Sequence, residues 1–158
     1  MTEKKQKSRR VTSFEDWSTH VKRDLEIRRS NGDVDVFAIQ SVTEKDRLEM
    51  SGVYQEMVPA KPSPPLDRKG NPRLNDPHYI EAMQEHKKGV AHASNVLMAL
   101  YIDKGWAEPN GFSIPGDTPE EKFEALQGKI AGDIETLYMA IVNLSGLGQD
   151  DINFFGMG

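Results

Sequence analysis

The sequence predicts a mainly α protein: a small N-terminal β-hairpin followed by about three helices, with a proline-rich linker after the first helix. Three observations point there. An Asn31-Gly32 turn is flanked by alternating apolar and polar residues. Helix-start signals precede apolar residues spaced by threes and fours. Six of the nine prolines crowd into residues 59–77.

The 158 residues suit one domain, which at this size buries roughly two thirds of its unfolded surface. An apolar fraction of 37% against 28% charged is polar for a compact domain, so part of the chain is expected outside the core. The absence of cysteine excludes disulfides, thiolate metal sites and a cysteine nucleophile, and fits a reducing compartment. No apolar run approaches the roughly 20 residues of a membrane span. Met1 to Arg10 is basic with no apolar stretch behind it, unlike a secretory signal. A net charge of −5 argues against broad nucleic-acid binding. Lys4, Lys5, Lys7, Arg9 and Arg10 oppose only Glu3, and residues 1–12 read as a disordered, solvated basic arm. Residues 13–158 then form a single helical domain.

The hairpin comes first. Leu25 and Ile27 alternate with charged neighbours, as do Val34 and Val36, and Phe37 and Ile39 continue the run. Asn-Gly best tolerates the positive φ angles of a two-residue type I′ turn. A lone hairpin is marginal in water, so one face must pack on something. Thr43 opens the first helix, with Asp46 three residues on. Leu48, Val53, Tyr54 and Met57 form its stripe, and Pro59 ends it. The linker 59–77 is expected to be extended.

Asp76-Pro77 is a capping carboxylate followed by proline at the first helical position. Ile80, Met83, Val90, Leu97 and Tyr101 follow, and Val96, Met98, Leu100 and Ile102 widen the apolar surface. This helix reads as polar early and buried late, ending before Gly105. Residues 105–117 read as a loop whose Trp106, Phe112 and Ile114 fold back. Thr118-Pro119-Glu120-Glu121 opens the third helix. Phe123, Leu126, Ile130, Ile134, Leu137, Ile141 and Leu144 carry it to Ser145-Gly146. Gly128 and Gly132, one turn apart, suggest close approach of another backbone.

Candidate chemistry is sparse. His86 and His92 stand six apart, off the spacing of metal ligands, and His20 and His78 are isolated. Gly146-Leu147-Gly148 follows a helix rather than a strand, so it is a cap and not a phosphate loop. Glu120 and Glu121 suit a helix N-terminus. No acid, base and nucleophile can be assembled, so no enzyme, metal or cofactor is expected. The tail, with Ile152, Phe154 and Phe155, is either tucked into a core or offered to a partner.

Three segments resemble the tail assembly chaperones of long-tailed bacteriophages. One is the strand-to-helix entry Val36-Phe37-Ala38-Ile39-Gln40-Ser41-Val42-Thr43-Glu44-Lys45-Asp46-Arg47, with valine at 42 where the family usually has leucine. Another is Leu100-Tyr101-Ile102-Asp103-Lys104-Gly105-Trp106. The most specific is Ile141-Val142-Asn143-Leu144-Ser145-Gly146-Leu147 with the acidic-aromatic Asp150-Asp151-Ile152 and Phe154-Phe155 behind it. Together they fall within residues 34–155; the basic arm and long linker depart from the family pattern.

The resemblance implies a small helical protein that coats the tape-measure protein in the cytoplasm of the bacterial host and helps recruit tail-tube protein. Many members also have a longer form made by programmed frameshifting. A homo-oligomer is compatible with such a role, and the contact would be a helix laid in an apolar groove. The partner-binding residues are expected at Ile141, Leu144, Ser145, Gly146, Leu147, Ile152, Phe154 and Phe155. Two other classes compete: a structural tail or baseplate adaptor retained in the virion, and a DNA-binding regulator that uses the basic arm.

Overall fold

A computed structural model describes residues 8–147. It is mainly α, with an N-terminal antiparallel hairpin. Strands β1 (Lys22–Arg28) and β2 (Val34–Gln40) lead into helices α1 (Glu44–Met57) and α2 (Pro77–Ile102). A π-helical turn, Asp103–Ala107, and a 3-10 turn, Glu108–Asn110, continue α2. Helices α3 (Pro119–Leu126) and α4 (Ala131–Leu144) complete the order.

In the hairpin, Leu25 pairs with Phe37, Arg23 with Ile39 and Arg28 with Val34. Alternation puts Leu25, Ile27, Phe37 and Ile39 on the inner face and leaves Val34 and Val36 exposed on the outer one. The turn differs from the expected type I′. Only Gly32 has positive φ, at 92°, while Asn31 does not. The Arg29 N–H donates to the Asp33 carbonyl at 2.7 Å, and Gly32 N–H to the Arg29 carbonyl at 3.0 Å. The loop is therefore Ser30-Asn31-Gly32, a three-residue connection with glycine in the left-handed position. Asn31 Oδ1 accepts from Asp33 N–H at 3.0 Å, a local bond that favours this turn.

Helix starts follow the sequence closely. Thr43 Oγ1 accepts from Asp46 N–H, Asp76 Oδ1 from Tyr79 N–H, and Thr118 Oγ1 from Glu121 N–H. Each satisfies a backbone donor that has no partner within the helix. On α1 the buried residues are Met50, Ser51 and Tyr54, whereas Leu48 faces solvent. Between Pro59 and Asp76 the proline linker contains no helix or strand, only an isolated bridge between Leu66 and Pro72, and its expected last residue, Pro77, is the first of α2. Its Pro59 lies against Gly89 of α2, where an added Cβ would meet Pro59 Cγ at 2.6 Å.

Helix α2 is unequal along its length. None of its residues before Ala93 is buried, and from Ala93 it forms the centre of the core. It also runs past its expected end, because the chain coils on through Gly105 as a π turn. Ile114 is buried as expected, whereas Phe112 is 44% exposed. The core joins Ile39, Met50, Tyr54, Leu97, Tyr101, Ile102, Ile114, Leu126, Leu137, Tyr138, Ile141 and Val142. Tyr101 and Tyr138 pack edge to face with ring centroids 5.5 Å apart, and burial pushes the Tyr138 phenol pKa up.

The expected third helix is two helices. The break falls at Gln127–Ile130. Gln127 N–H is shared between the Phe123 and Glu124 carbonyls, and Lys129 N–H turns back to Leu126. Gly128 weakens the helix there by about 1 kcal/mol relative to alanine. Ile130, extended and 60% exposed, leaves the apolar stripe. The expected close approach at Gly128 and Gly132 is absent. A Cβ at Gly132 would meet nothing within 4 Å, and one at Gly128 only the Ala125 carbonyl at 3.6 Å.

Candidate partner-binding surface

The C-terminal end of α4 closes as a Schellman motif. Gly146, at φ 75°, donates to the Asn143 carbonyl at 3.1 Å, and Leu147 N–H donates to Val142 at 3.2 Å. Beside this end, the chain leaving β2 enters α1. The two are fastened by Ser145, whose Oγ accepts from Val42 N–H at 2.9 Å and donates to the Ile141 carbonyl at 2.7 Å.

A second clasp holds the hairpin base. Val21 N–H donates to Ser41 Oγ at 2.7 Å, and Ser41 N–H to the Val21 carbonyl at 2.8 Å. It fixes where the preceding segment crosses. That segment carries Phe14 and Trp17 on a short turn, with Trp17 N–H donating to the Phe14 carbonyl at 3.2 Å and Asp16 N–H to Ser13 Oγ at 3.1 Å. The two rings meet edge to face at 6.4 Å.

These pieces form an open groove lined by Phe14, Trp17, Val42, the first turn of α1, Ser145 and Leu147. Phe14 is 82% exposed and Trp17 67%, unusually high for aromatic side chains beside a groove. Glu15, Glu44, Lys45 and Arg47 supply its charges. Arg47 Nε donates to Glu44 at 2.8 Å and holds that carboxyl below its ordinary pKa.

The expected contact residues therefore divide. Ile141 is fully buried against Gly105 and is unavailable to a partner. Leu144 is half-buried and packs on the core. Both hydrogen-bonding roles of the Ser145 hydroxyl serve the fold. Gly146 is exposed as the helix cap, and Leu147 lines the groove. Ile152, Phe154 and Phe155 lie outside the described residues. Sequence reasoning missed Phe14 and Trp17; the available signal was two aromatics three apart behind a serine able to cap a turn.

Elsewhere the polar side chains fasten the fold. Arg29 at the hairpin turn bridges Asp133 on α4 through two bonds of 2.7 and 2.8 Å, and also pairs with Asp35. Buried Asp103 accepts from Ile114 N–H at 2.8 Å and stands 3.4 Å from Lys122 Nζ, which donates to the Ile114 carbonyl at 3.0 Å. Asn110 Nδ2 donates to the Ala38 and Trp106 carbonyls, tying the 3-10 turn to β2. His20 Nδ1 lies 3.0 Å from the Ser41 carbonyl. Among the described residues no cluster of histidine and carboxylate side chains could hold a metal ion, and no helix is long and apolar enough to cross a membrane.

No protein-family model, curated protein or solved structure matches this chain.

Proposed function

We propose that this chain is a non-catalytic phage tail assembly chaperone that acts in the cytoplasm of the bacterial host. It binds the tape-measure protein and assists tail-tube assembly. The observation that carries the reading is the Phe14–Trp17 groove at the end of α4. Aromatic anchors beside an apolar wall suit the apolar stripe of a long helical client. The groove also borders two segments that resemble the chaperone family: the β2-to-α1 entry, and the Ser145-Gly146-Leu147 ending.

Co-expression with the candidate tape-measure protein tests the proposal. The chain should co-purify with that protein and keep it soluble, and should be absent from finished particles. Failure to bind or solubilise it sinks the chaperone reading. Retention in purified virions would instead assign the chain as a structural tail or baseplate adaptor.

A further inference from the structure

The two strands of the hairpin differ at their open edges. Bonded pairs close both ends of the ladder, Arg29 with Asp33 and Ser41 with Val21. Bonded and non-bonded pairs alternate between them, so the main chain of Val34, Val36 and Ala38 points away from β1. Asn110 Nδ2 meets the Ala38 carbonyl from that outer side at 2.9 Å. Among the described residues no hydrogen bond reaches the main chain of Val34 or Val36. Their side chains are exposed as well, at 44% and 57%. The outward positions of β1 are Lys22, Asp24, Glu26 and Arg28, all charged and exposed. Charges in such places keep other chains off an edge, whereas a pair of exposed valines invites them.

We infer that β2 pairs with β2 of a second copy, antiparallel about a twofold axis at Asp35, which joins two hairpins into one four-stranded sheet. The segment is its own complement. About that axis Val34 meets Val36 of the other copy and Val36 meets its Val34. Each pair exchanges two main-chain bonds and packs valine on valine. The axis tolerates two carboxylates because Arg29, 2.7 Å from Asp35, neutralises the only charge on β2.

Asn110 sets the register. It occupies the Ala38 carbonyl, so an incoming strand finds both main-chain groups free only at Val34 and Val36. The charged edge of β1 sets the stoichiometry. One adhesive edge per copy closes as a dimer, where two would grow a fibre. The contact is short and belongs to the weak class of interface, under about 1,200 Å². The pairing does not depend on the function proposed above, and its test needs no client.

The chain has no cysteine, so an introduced one can cross-link only between copies. At the axis the two residues 35 form a non-bonded pair with Cα atoms about 4.5 Å apart, a separation that a disulfide spans. Under mild oxidation Asp35→Cys should form a covalent dimer at least about tenfold faster than Glu26→Cys, its exposed counterpart on β1. Equal rates overturn the inference, as does an Asp35→Cys chain that stays monomeric. Because Asp35→Cys also takes a partner from Arg29, the unsubstituted chain supplies a second measurement. Its average mass in sedimentation should climb across about a hundredfold range of concentration, and Val36→Lys should abolish the climb. A climb that Val36→Lys leaves unchanged overturns the pairing. So does a mass that stays monomeric throughout, which would leave the edge to a strand from another protein.

Discussion

Gly105 and Ile141 meet so closely that no side chain fits between α2's extension and α4. A Cβ at position 105 would stand 2.6 Å from Ile141 Cγ2 and 2.7 Å from its Cδ1, and the target is a fully buried residue. Gly105→Ala should therefore destabilise by about 1–3 kcal/mol, the usual penalty for overpacking. Ile141→Ala, which removes all three of the carbons that Cβ would meet, should recover part of that loss in the double variant, giving a non-additive cycle in urea denaturation. Additive effects would refute the contact.

Gly132→Ala should act in the opposite direction. The position is helical and a methyl group there has open space. The substitution restricts the unfolded chain and should stabilise by about 0.5 kcal/mol, read as a higher denaturation midpoint. A loss of stability would mean that the first turn of α4 meets something the open space does not reveal.

The Arg29–Asp133 bridge should make the fold acid-sensitive. Hydrogen bonding to Arg29 holds the Asp133 carboxyl below its ordinary pKa. A lowered folded pKa contributes stability that is present above the unfolded value, roughly pH 4 for an aspartate, and lost as pH falls through the folded one. Arg29 stays charged throughout this window. Asp133→Asn should thus lower stability at neutral pH and flatten its dependence below about pH 4. An unchanged acid limb in thermal scans would count against it.

The Asp103 site should be among the more sensitive polar positions. Asp103→Ala leaves the Ile114 N–H without its acceptor and the Lys122 ammonium without its counter-charge, held only by the Ile114 carbonyl. Breaking such a buried pair from one side costs about 3 kcal/mol. Replacing Lys122 with methionine in the same chain should recover some of it, because the stranded charge is gone. Chemical denaturation of the three variants is the measurement.

Groove substitutions should separate binding from folding. Phe14→Ser with Trp17→Ser removes two exposed rings and should alter stability by less than about 1 kcal/mol. The same variant should no longer co-purify with the tape-measure protein. Retained co-purification would move the contact elsewhere on the surface.

Much of the fold was readable where the local chemistry is self-sufficient. Thr43, Asp76 and Thr118 cap the helices they were expected to cap, since an N-cap needs only residues within one turn. The break at 127–130 was hidden, because the apolar spacing from Phe123 to Leu144 stays in phase across it. Periodicity records a stripe and not whether the backbone beneath it is continuous. The glycines misled for a related reason. Gly128 and Gly132 have the spacing of a close crossing, yet the crossing uses Gly105, whose partner lies in a different helix. At the groove, Leu147 was anticipated from the tail side, while Phe14 and Trp17 come from a segment remote in sequence. Their proximity depends on the Ser41 and Ser145 clasps, which no local pattern announces.

Helix α2 carries one further consequence. At 26 residues and a rise of 1.5 Å each, it is about 39 Å long. Its backbone ladder is continuous, but nothing before Ala93 is buried. Cooperative unfolding units follow burial more than hydrogen bonding. The helix should therefore behave as two bodies in native-state hydrogen exchange. Amides from Ala93 onward should exchange only with global unfolding. Those of the first half should exchange through local fraying, restrained chiefly where Pro59 leans on Gly89.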